Sequence, residues 1–422
     1  MKREFCHRLE ARCSSRRNRA SPSREIALLA RGFHDAIGDS SLWEMLVRPQ
    51  SLWVSLVVVY LSALLLYRLY FVSSVSRFFR QRRVINNVDK YSELLPYEKI
   101  RDDPELEAFV NTLKLLSGAP YVVFFDQSNF DVTMNHVCNL ELMPGALERF
   151  AAVAFEPEAE RRFRAVHPSI PVVTVDFTVI KDAIDPELEN RKYVIYQLIL
   201  LTRARIAAAF ASKDLSFWAM QQDSIWVENF AVMDIENRFT APLIFDVIGN
   251  DRIPEYKRMD GWICGSTFFA RGGALAENFF LKLDALMRSR QSPDSAIMSY
   301  LCGHAHYQCQ TMPRWIVSSS NYFRGPRDLV PIMIQVDHQS KMSKMDLFKK
   351  ERFAVLRKDG SCDAGAVARL RDAARVALLE IQTKDLRDHE TFSEAVYYEI
   401  RRFLNIDPYN RKKFLTVHES LV

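Results

Sequence analysis

The 422-residue sequence lacks a large excess of either charge, with 57 lysines and arginines against 52 aspartates and glutamates, a net +5. No basic field of the kind that binds nucleic acid therefore spans the chain. It has no Asn-x-Ser/Thr sequon, so glycosylation gives no clue to compartment. There is no internal repeat and no low-complexity tract in the globular part, which excludes solenoids and repeat arrays. Seven cysteines at this length are too few for a disulfide framework, although one or two bridges suit an oxidising lumen. What is present is apolar: 48% hydrophobic and 12% aromatic residues, enough to bury the core of one large or two medium domains.

One stretch carries no charge at all. From Pro49 to Tyr67 the residues are mostly Leu, Val, Ser and Tyr, bracketed by Arg48 and Arg68. As a helix, about 19 residues span roughly 28 Å, close to the hydrocarbon thickness of a bilayer. Trp53, Tyr60, Tyr67 and Tyr70 add aromatic residues suited to its interfaces. The pattern predicts one transmembrane anchor over 49–72, after a polar, Arg- and Ser-rich tail over 1–48 that is expected to be disordered. The run starts too far from Met1 and is too long for a cleaved signal peptide. Charge leaves the orientation open. Arg68, Arg77, Arg80, Arg82 and Arg83 favour a cytoplasmic C-terminal side, while Arg12, Arg16, Arg17, Arg19 and Arg24 argue the reverse.

After the anchor, 73–118 reads as a charged stem with short helices, one opened by Asp103 as cap and Pro104 at its first position. The globular domain is expected over 119–360. It begins with a strand at 121–126 that ends in Asp126, and further strands are expected at 150–155 and 170–175, with a helical pattern at 157–166. Asp185-Pro186-Glu187 is expected to start a long helix with Tyr193, Val194, Leu198, Leu201 and Ile206 at helical spacing. That helix feeds a buried strand at 215–219. Alternating strands and helices imply an α/β domain with a largely parallel sheet. A helical extension over 361–422 closes the chain, with amphipathic patterns at 365–383 and 391–404.

Chemistry is concentrated in a few places. Asp223 follows the 215–219 strand, where open α/β sheets bind ligands, and its carboxylate suits Mg²⁺ or Mn²⁺ carrying phosphates. By local chemistry alone such a residue is a turn or cap. Gly265 lies between apolar segments, marking either a close approach of a ligand or a bulge. Asp294 either caps the helix through Ile297, Met298 and Leu301 or faces a cleft where it binds sugar hydroxyls. His338 ends a strand begun at Ile332, and Lys344 follows on a polar loop. An imidazole completes a divalent-metal site and a lysine neutralises a diphosphate, although a strand-end histidine is ordinarily a surface hydrogen-bonding residue. Cys302, His304, His306 and Cys309 invite a zinc reading, but their spacing departs from paired zinc motifs, and a structural role or a Cys302–Cys309 bridge fits better.

Taken in order, these blocks resemble the nucleotide-diphospho-sugar transferase family: strand-Asp223-x-x-Trp226, the Gly265 segment, the Asp294 segment, and His338-x₅-Lys344. The likeness covers about 120–358. It is nearest to the divergent, nematode-like branch through Trp262-Ile263-Cys264-Gly265 and Ser343-Lys344-Met345-Asp346. The resemblance implies a glycosyltransferase-A-like α/β fold, a mostly parallel mixed sheet flanked by helices and preceded by one transmembrane helix. It implies a single-pass type II protein with its catalytic domain in the Golgi lumen, a nucleotide-sugar donor such as a UDP-sugar, a glycan or glycoprotein acceptor, and Mn²⁺ or Mg²⁺. By that likeness Asp223 and His338 are metal ligands and Lys344 binds the diphosphate. Gly265 and Asp294 shape the acceptor side and hold the transferred sugar, with Asp294 as the catalytic candidate, and Asp126 lies near the nucleotide base. Gln221 stands where the family has its first aspartate and is left to hydrogen-bond the ribose or a metal-bound water. The resemblance favours a retaining hexosyl- or pentosyltransferase; the alternatives are a pseudoenzyme serving as a binding or scaffolding module and, less favoured, a zinc-stabilised interaction module.

Overall fold

The computed structural model describes residues 49–68, 73–141, 143–247, 263–304, 307–312, 315–319, 330–336, 342–370 and 372. The expected tail over 1–48, His338 and nearly all of the C-terminal extension lie outside the described residues. The chain divides into two compact units, 1–80 and 81–422. In the first, helix α1 (Pro49–Leu66) occupies the expected apolar run, and its side chains from Leu56 to Leu66 are exposed. Helix α2 (Ser73–Ser92) follows it and from Gln81 onward belongs to the second unit.

In the second unit ten strands are found among the described residues: β1 (Tyr121–Phe125), β2 (Phe150–Ala154), β3 (Val172–Thr174), β4 (Phe217–Met220), β5 (Ser224–Trp226), β6 (Leu243–Val247), β7 (Ile263–Ala270), β8 (Cys309–Thr311), β9 (Val317–Ser318) and β10 (Met333–Gln335). Seven form one sheet in the order β3-β2-β1-β4-β7-β6-β8, and β5-β10-β9 form a second, three-stranded sheet. Strands β3, β2, β1 and β4 run parallel, and β7 is antiparallel to both its neighbours. The mostly parallel mixed α/β sheet is thus as the sequence implies.

Strand β1, Tyr-Val-Val-Phe-Phe, is buried along its whole length, the pattern of a strand covered on both faces. Val122 and Phe124 face one core together with residues of α3 (Pro104–Leu113), α6 (Arg191–Ser212) and α7 (Ala274–Ser289). Tyr121, Val123 and Phe125 face the other, with α4 (Phe130–Glu141) and α5 (Pro157–Val166). A third cluster joins α4, β5, β10 and the chain after residue 342.

Two expectations shift. The segment read as a stem is packed from Val84 onward: Val84, Val88, Tyr91, Leu106, Phe109, Val110 and Leu113 all lie in the first core. Arg205 of α6 binds the loop after α2, donating to the carbonyls of Ser92 and Leu95 at 2.6 and 2.7 Å and to Asp284 Oδ1 at 2.7 Å. The sequence hid this because short helical stretches with charged outer faces look alike whether free or docked. The long helix also starts later than expected, at Arg191. Asp185 instead caps a turn, accepting from the Glu187 amide at 2.9 Å, and Asn190 sits at φ 63°. Helix α6 is long and apolar enough to cross a membrane but is mostly buried within the fold, as a core helix is.

Cys138 is joined to Cys362, and Cys302 to Cys309. The second bond takes up both thiolates that a zinc ion at 302–309 would need, and the zinc reading falls.

Gly272 lies against the α6–β4 turn. A Cβ there would sit 2.4 Å from the Asp214 carbonyl carbon and 2.8 Å from the Leu215 amide nitrogen. Backbone cannot yield as a side-chain tip can, so Gly272→Ala is expected to cost about 1–3 kcal/mol. Gly145→Ala, with nothing within 4 Å, should cost less despite its positive φ. Denaturant midpoints of the two variants check the contrast.

Candidate functional site

Strand β4 pairs with β1 through Val123 and Met220 and then leaves the sheet in a turn over Gln221–Ser224. The turn is closed by the Ser224 amide and hydroxyl, which donate to the Gln221 carbonyl at 3.2 and 2.8 Å. It delivers Asp223 to the carboxyl end of the parallel strands, the ligand edge of such sheets. Strand β5 then pairs antiparallel with β10, and the Val336 amide donates to the Asp223 carbonyl at 2.9 Å. Lys344, at the start of α9 (Lys344–Lys350), reaches back across this ladder. Its Nζ lies 2.7 Å from Asp223 Oδ2 and also donates to the Val336 carbonyl. Asp223 and Lys344, paired in function by resemblance, are therefore in direct contact.

Asp223 Oδ1 and Gln221 Oε1 are both buried without a hydrogen-bond partner. An acceptor left in this way costs free energy unless a ligand, ion or water supplies a donor or charge. Both are hard oxygens and fit a divalent ion. Among the described residues no three His, Cys, Asp or Glu side chains gather to hold a metal, and His338 lies outside them.

Gly265 and Asp294 form a second group, through a residue the sequence reading missed. Arg203 of α6 pairs with Asp294 Oδ2 and donates to the Gly265 carbonyl at 2.7 Å. Asp294 opens α8 (Asp294–His304) and is buried, and its Oδ1 accepts the Ser295 amide at 2.8 Å. Both carboxylate oxygens are thus bonded. The carboxylate, read from the sequence either as a helix cap or as facing a cleft, is held in place at the start of α8, since a charge buried here needs a partner. Gly265 is at φ 70°, and a Cβ would lie 3.0 Å from Met298 Sδ and 3.4 Å from Ser295 Cα. The β6–β7 register shifts between Phe245 and Val247 around it. The bulge reading of Gly265 is therefore the one observed. The arginines at 203 and 205, in the apolar middle of the helix, were the signal that would have found Arg203.

Asp126, at the end of β1, is a third, separate element. Its Oδ1 accepts from Ser128 Oγ at 2.7 Å and from the Asn129 amide at 3.1 Å. Lys181 lies 3.4 Å from its Oδ2 and also binds Glu156. Burial pushes the carboxyl up, but these hydrogen bonds and the Lys181 charge outweigh it and hold the group below the usual carboxylate range. No hydrogen bond or ion pair among the described residues links the three groups to one another.

His136 of α4 supports the turn from beneath. It is fully buried, and its Nδ1 lies 2.9 Å from the Ser224 carbonyl. A carbonyl only accepts, so Nδ1 carries the proton and Nε2 is left bare, without a partner. Two residues on in β5, Asn139 of the same helix accepts from the Trp226 amide at 2.7 Å and donates to its carbonyl at 3.0 Å. It replaces a missing strand neighbour.

Residues 145–348 match the model of the nucleotide-diphospho-sugar transferase family. Over that segment the chain is similar to the family. The segment makes up just under half of the chain and contains Gln221, Asp223, Gly265, Asp294, His338 and Lys344, while Asp126 precedes it. A search of curated proteins gave no match. Among solved structures the chain is similar to the bifunctional glycosyltransferase WbbM in its apo form, at 11% identity over 67% of this chain and 51% of that one, with a TM-score of 0.37. It is also similar to apo mouse xyloside xylosyltransferase 1, at 10% identity over 53% and 99% of the two chains, with a TM-score of 0.36. A third is the mannosyltransferase PcManGT from Pyrobaculum calidifontis in complex with GDP-mannose and Mn²⁺, at 11% identity over 79% and 96%, with a TM-score of 0.31. The chain spans about half the length of WbbM.

Two predictions follow from the buried ionisable groups. Burial lowers the His136 pKa from its ordinary 6.5 to about 4. Below pH 6.5 the unfolded chain takes up a proton that the folded chain refuses, so stability is full above that pH. It should fall by roughly 3 kcal/mol as the pH drops toward 4. Unfolding titrations across this range should show a smaller slope for His136→Gln than for the natural chain. Arg203→Leu strands Asp294 as an unmatched buried charge and should cost about 3–5 kcal/mol. Restoring most of that loss in Arg203→Leu/Asp294→Leu, by thermal melting, would confirm charge matching as the cause.

Proposed function

We propose that this protein is a membrane-anchored glycosyltransferase that moves a sugar from a nucleotide-diphosphate donor to a glycan or glycoprotein acceptor. The observation that carries the reading is the Asp223–Lys344 pair at the carboxyl edge of the sheet, beside two unpartnered buried oxygens. Breaking a sugar–diphosphate bond places negative charge on the leaving nucleoside diphosphate. The Lys344 ammonium has three N–H donors, of which Asp223 and the Val336 carbonyl take two. The third remains for a phosphate oxygen and stabilises the charge as it forms.

Asp223 would hold a divalent ion, Mn²⁺ or Mg²⁺, with His338 as a further ligand and Gln221 hydrogen-bonded to a metal-bound water, on the resemblance. When bound, that ion supplies Lewis-acid stabilisation of the departing diphosphate. Asp126 and its Lys181–Glu156 neighbours, at the end of β1 and beyond, would face the nucleoside. Asp294 would orient the transferred sugar from the acceptor side together with Gly265. With both its oxygens bonded it is no free base, and a retaining reaction is proposed on the resemblance.

The exposed apolar helix α1 supports a single-span anchor. The two disulfides support an oxidising compartment, in keeping with a type II protein whose domain lies in the Golgi lumen. Gln221, neutral where the family has an aspartate, favours a second reading, a pseudoenzyme that binds nucleotide without turnover.

The test is release of UDP or GDP by the purified full chain from a panel of UDP- and GDP-sugars with Mn²⁺. Turnover with at least one donor is expected, and Asp223→Asn and Lys344→Gln should each lower kcat/KM by about 100-fold. Calorimetric binding of UDP or GDP with no turnover on any donor would select the pseudoenzyme. Neither binding nor turnover would remove both readings.

A further inference from the structure

We infer that Cys138, Cys362 and Asn135 are positioning residues that hold Lys344 against Asp223, a role that rests on the reading of that pair as the diphosphate site. Helix α4 meets both halves of the site. On one side His136 and Asn139 bind the β5 backbone at Ser224 and Trp226, directly after Asp223. On the other, Asn135 brackets the chain downstream of α9, donating to the Phe353 carbonyl at 3.2 Å and accepting the Val355 amide at 2.8 Å. One turn further along, Cys138 is covalently bonded to Cys362.

The return path from this staple to Lys344 is continuous. The isolated bridge between Leu356 and Cys362, and the Asp363 amide on the Val355 carbonyl at 2.7 Å, fold residues 355–363 on themselves. The Phe353 amide donates to the Phe348 carbonyl at 2.7 Å. Leu347 and Phe348 are buried with Val132, Cys138, Phe353 and Val355 in the third core cluster. Lys344 begins that same helix behind the Ser343 cap, whose Oγ accepts the Asp346 amide at 3.1 Å. A helix of seven residues does not hold itself in water, and its placement comes from tertiary contacts. Those contacts are with α4, to which the Asn135 hydrogen bonds and the Cys138–Cys362 bond tie the chain that follows α9.

A bond closing 224 residues also stabilises the fold simply by constraining the unfolded chain, so loss of activity alone would not separate the two roles. A double-mutant cycle does. UDP and GDP affinities, each with Mn²⁺, are measured by calorimetry on the full chain. The variants are Lys344→Gln, Cys138→Ser/Cys362→Ser, and the triple combination, all held well below their melting temperatures. The natural chain binding neither nucleotide would sink the parent reading and this inference with it. Given binding, removing the staple should weaken the nucleotide about tenfold, and in the Lys344→Gln background by less than about twofold, because the residue it positions is already gone. Equal weakening in both backgrounds, or no weakening in either, overturns the inference. Should the cysteine variant not fold, Asn135→Ser with the disulfide intact takes its place in the same cycle, with the same outcomes deciding.

Discussion

The contact between Asp223 and Lys344 is the interaction on which the proposed site depends. A carboxylate at the end of a parallel strand is ordinary, and so is a lysine at the first position of a short helix. Together they make a fixed dipole of charge at the sheet's ligand edge, with one carboxylate oxygen and one amide oxygen left unsatisfied beside it. Leaving those atoms unmatched costs free energy that a ligand, an ion or a water would recover. The three-stranded sheet brings the two together: pairing β5 with β10 places the strand that leads toward Lys344 beside the residue it meets.

The same rule governs the rest of the interior. Among the described residues, every buried arginine is tied to a specific carboxylate or carbonyl. Arg149 meets Glu236 and the Ala119 carbonyl, Arg203 meets Asp294 and the Gly265 carbonyl, and Arg205 meets Asp284 and two carbonyls after α2. Asp284 shows how narrow the balance is, since burial raises its pKa even with Arg205 alongside. Such pairs add little net stability over apolar packing, but each specifies one arrangement, because any other leaves a charge stranded. Helix α4 does the equivalent with neutral groups, using Asn135 and Asn139 as substitutes for strand edges.

Much of the fold was legible. Strand β1 appears as an unbroken apolar run, α3 announces itself by Asp103 and Pro104, and α5 by its charged face, since local chemistry fixes caps and periodicity. The stem was misread because amphipathic helices carry no mark of what they pack against. The start of α6 was misplaced because Asp185-Pro186 can open a turn as readily as a helix. At the site, Asp223 and Lys344 could be matched through motif order, whereas Arg203, Asn135, His136 and the Cys138–Cys362 bond could not. Their roles depend on partners far away in sequence.

By itself the sequence determined which segments are apolar enough to be buried or to span a bilayer, where helices can begin, and which side chains have the chemistry for a diphosphate. These are properties of neighbours along the chain. Only the tertiary structure decided that Asp294 is bonded at both oxygens, that Gly265 sits in a bulge against α8, and that the lysine after β10 touches the aspartate before β5. Burial, charge matching and register are set by groups that meet only when the sheet has formed, and no local pattern encodes which ones will.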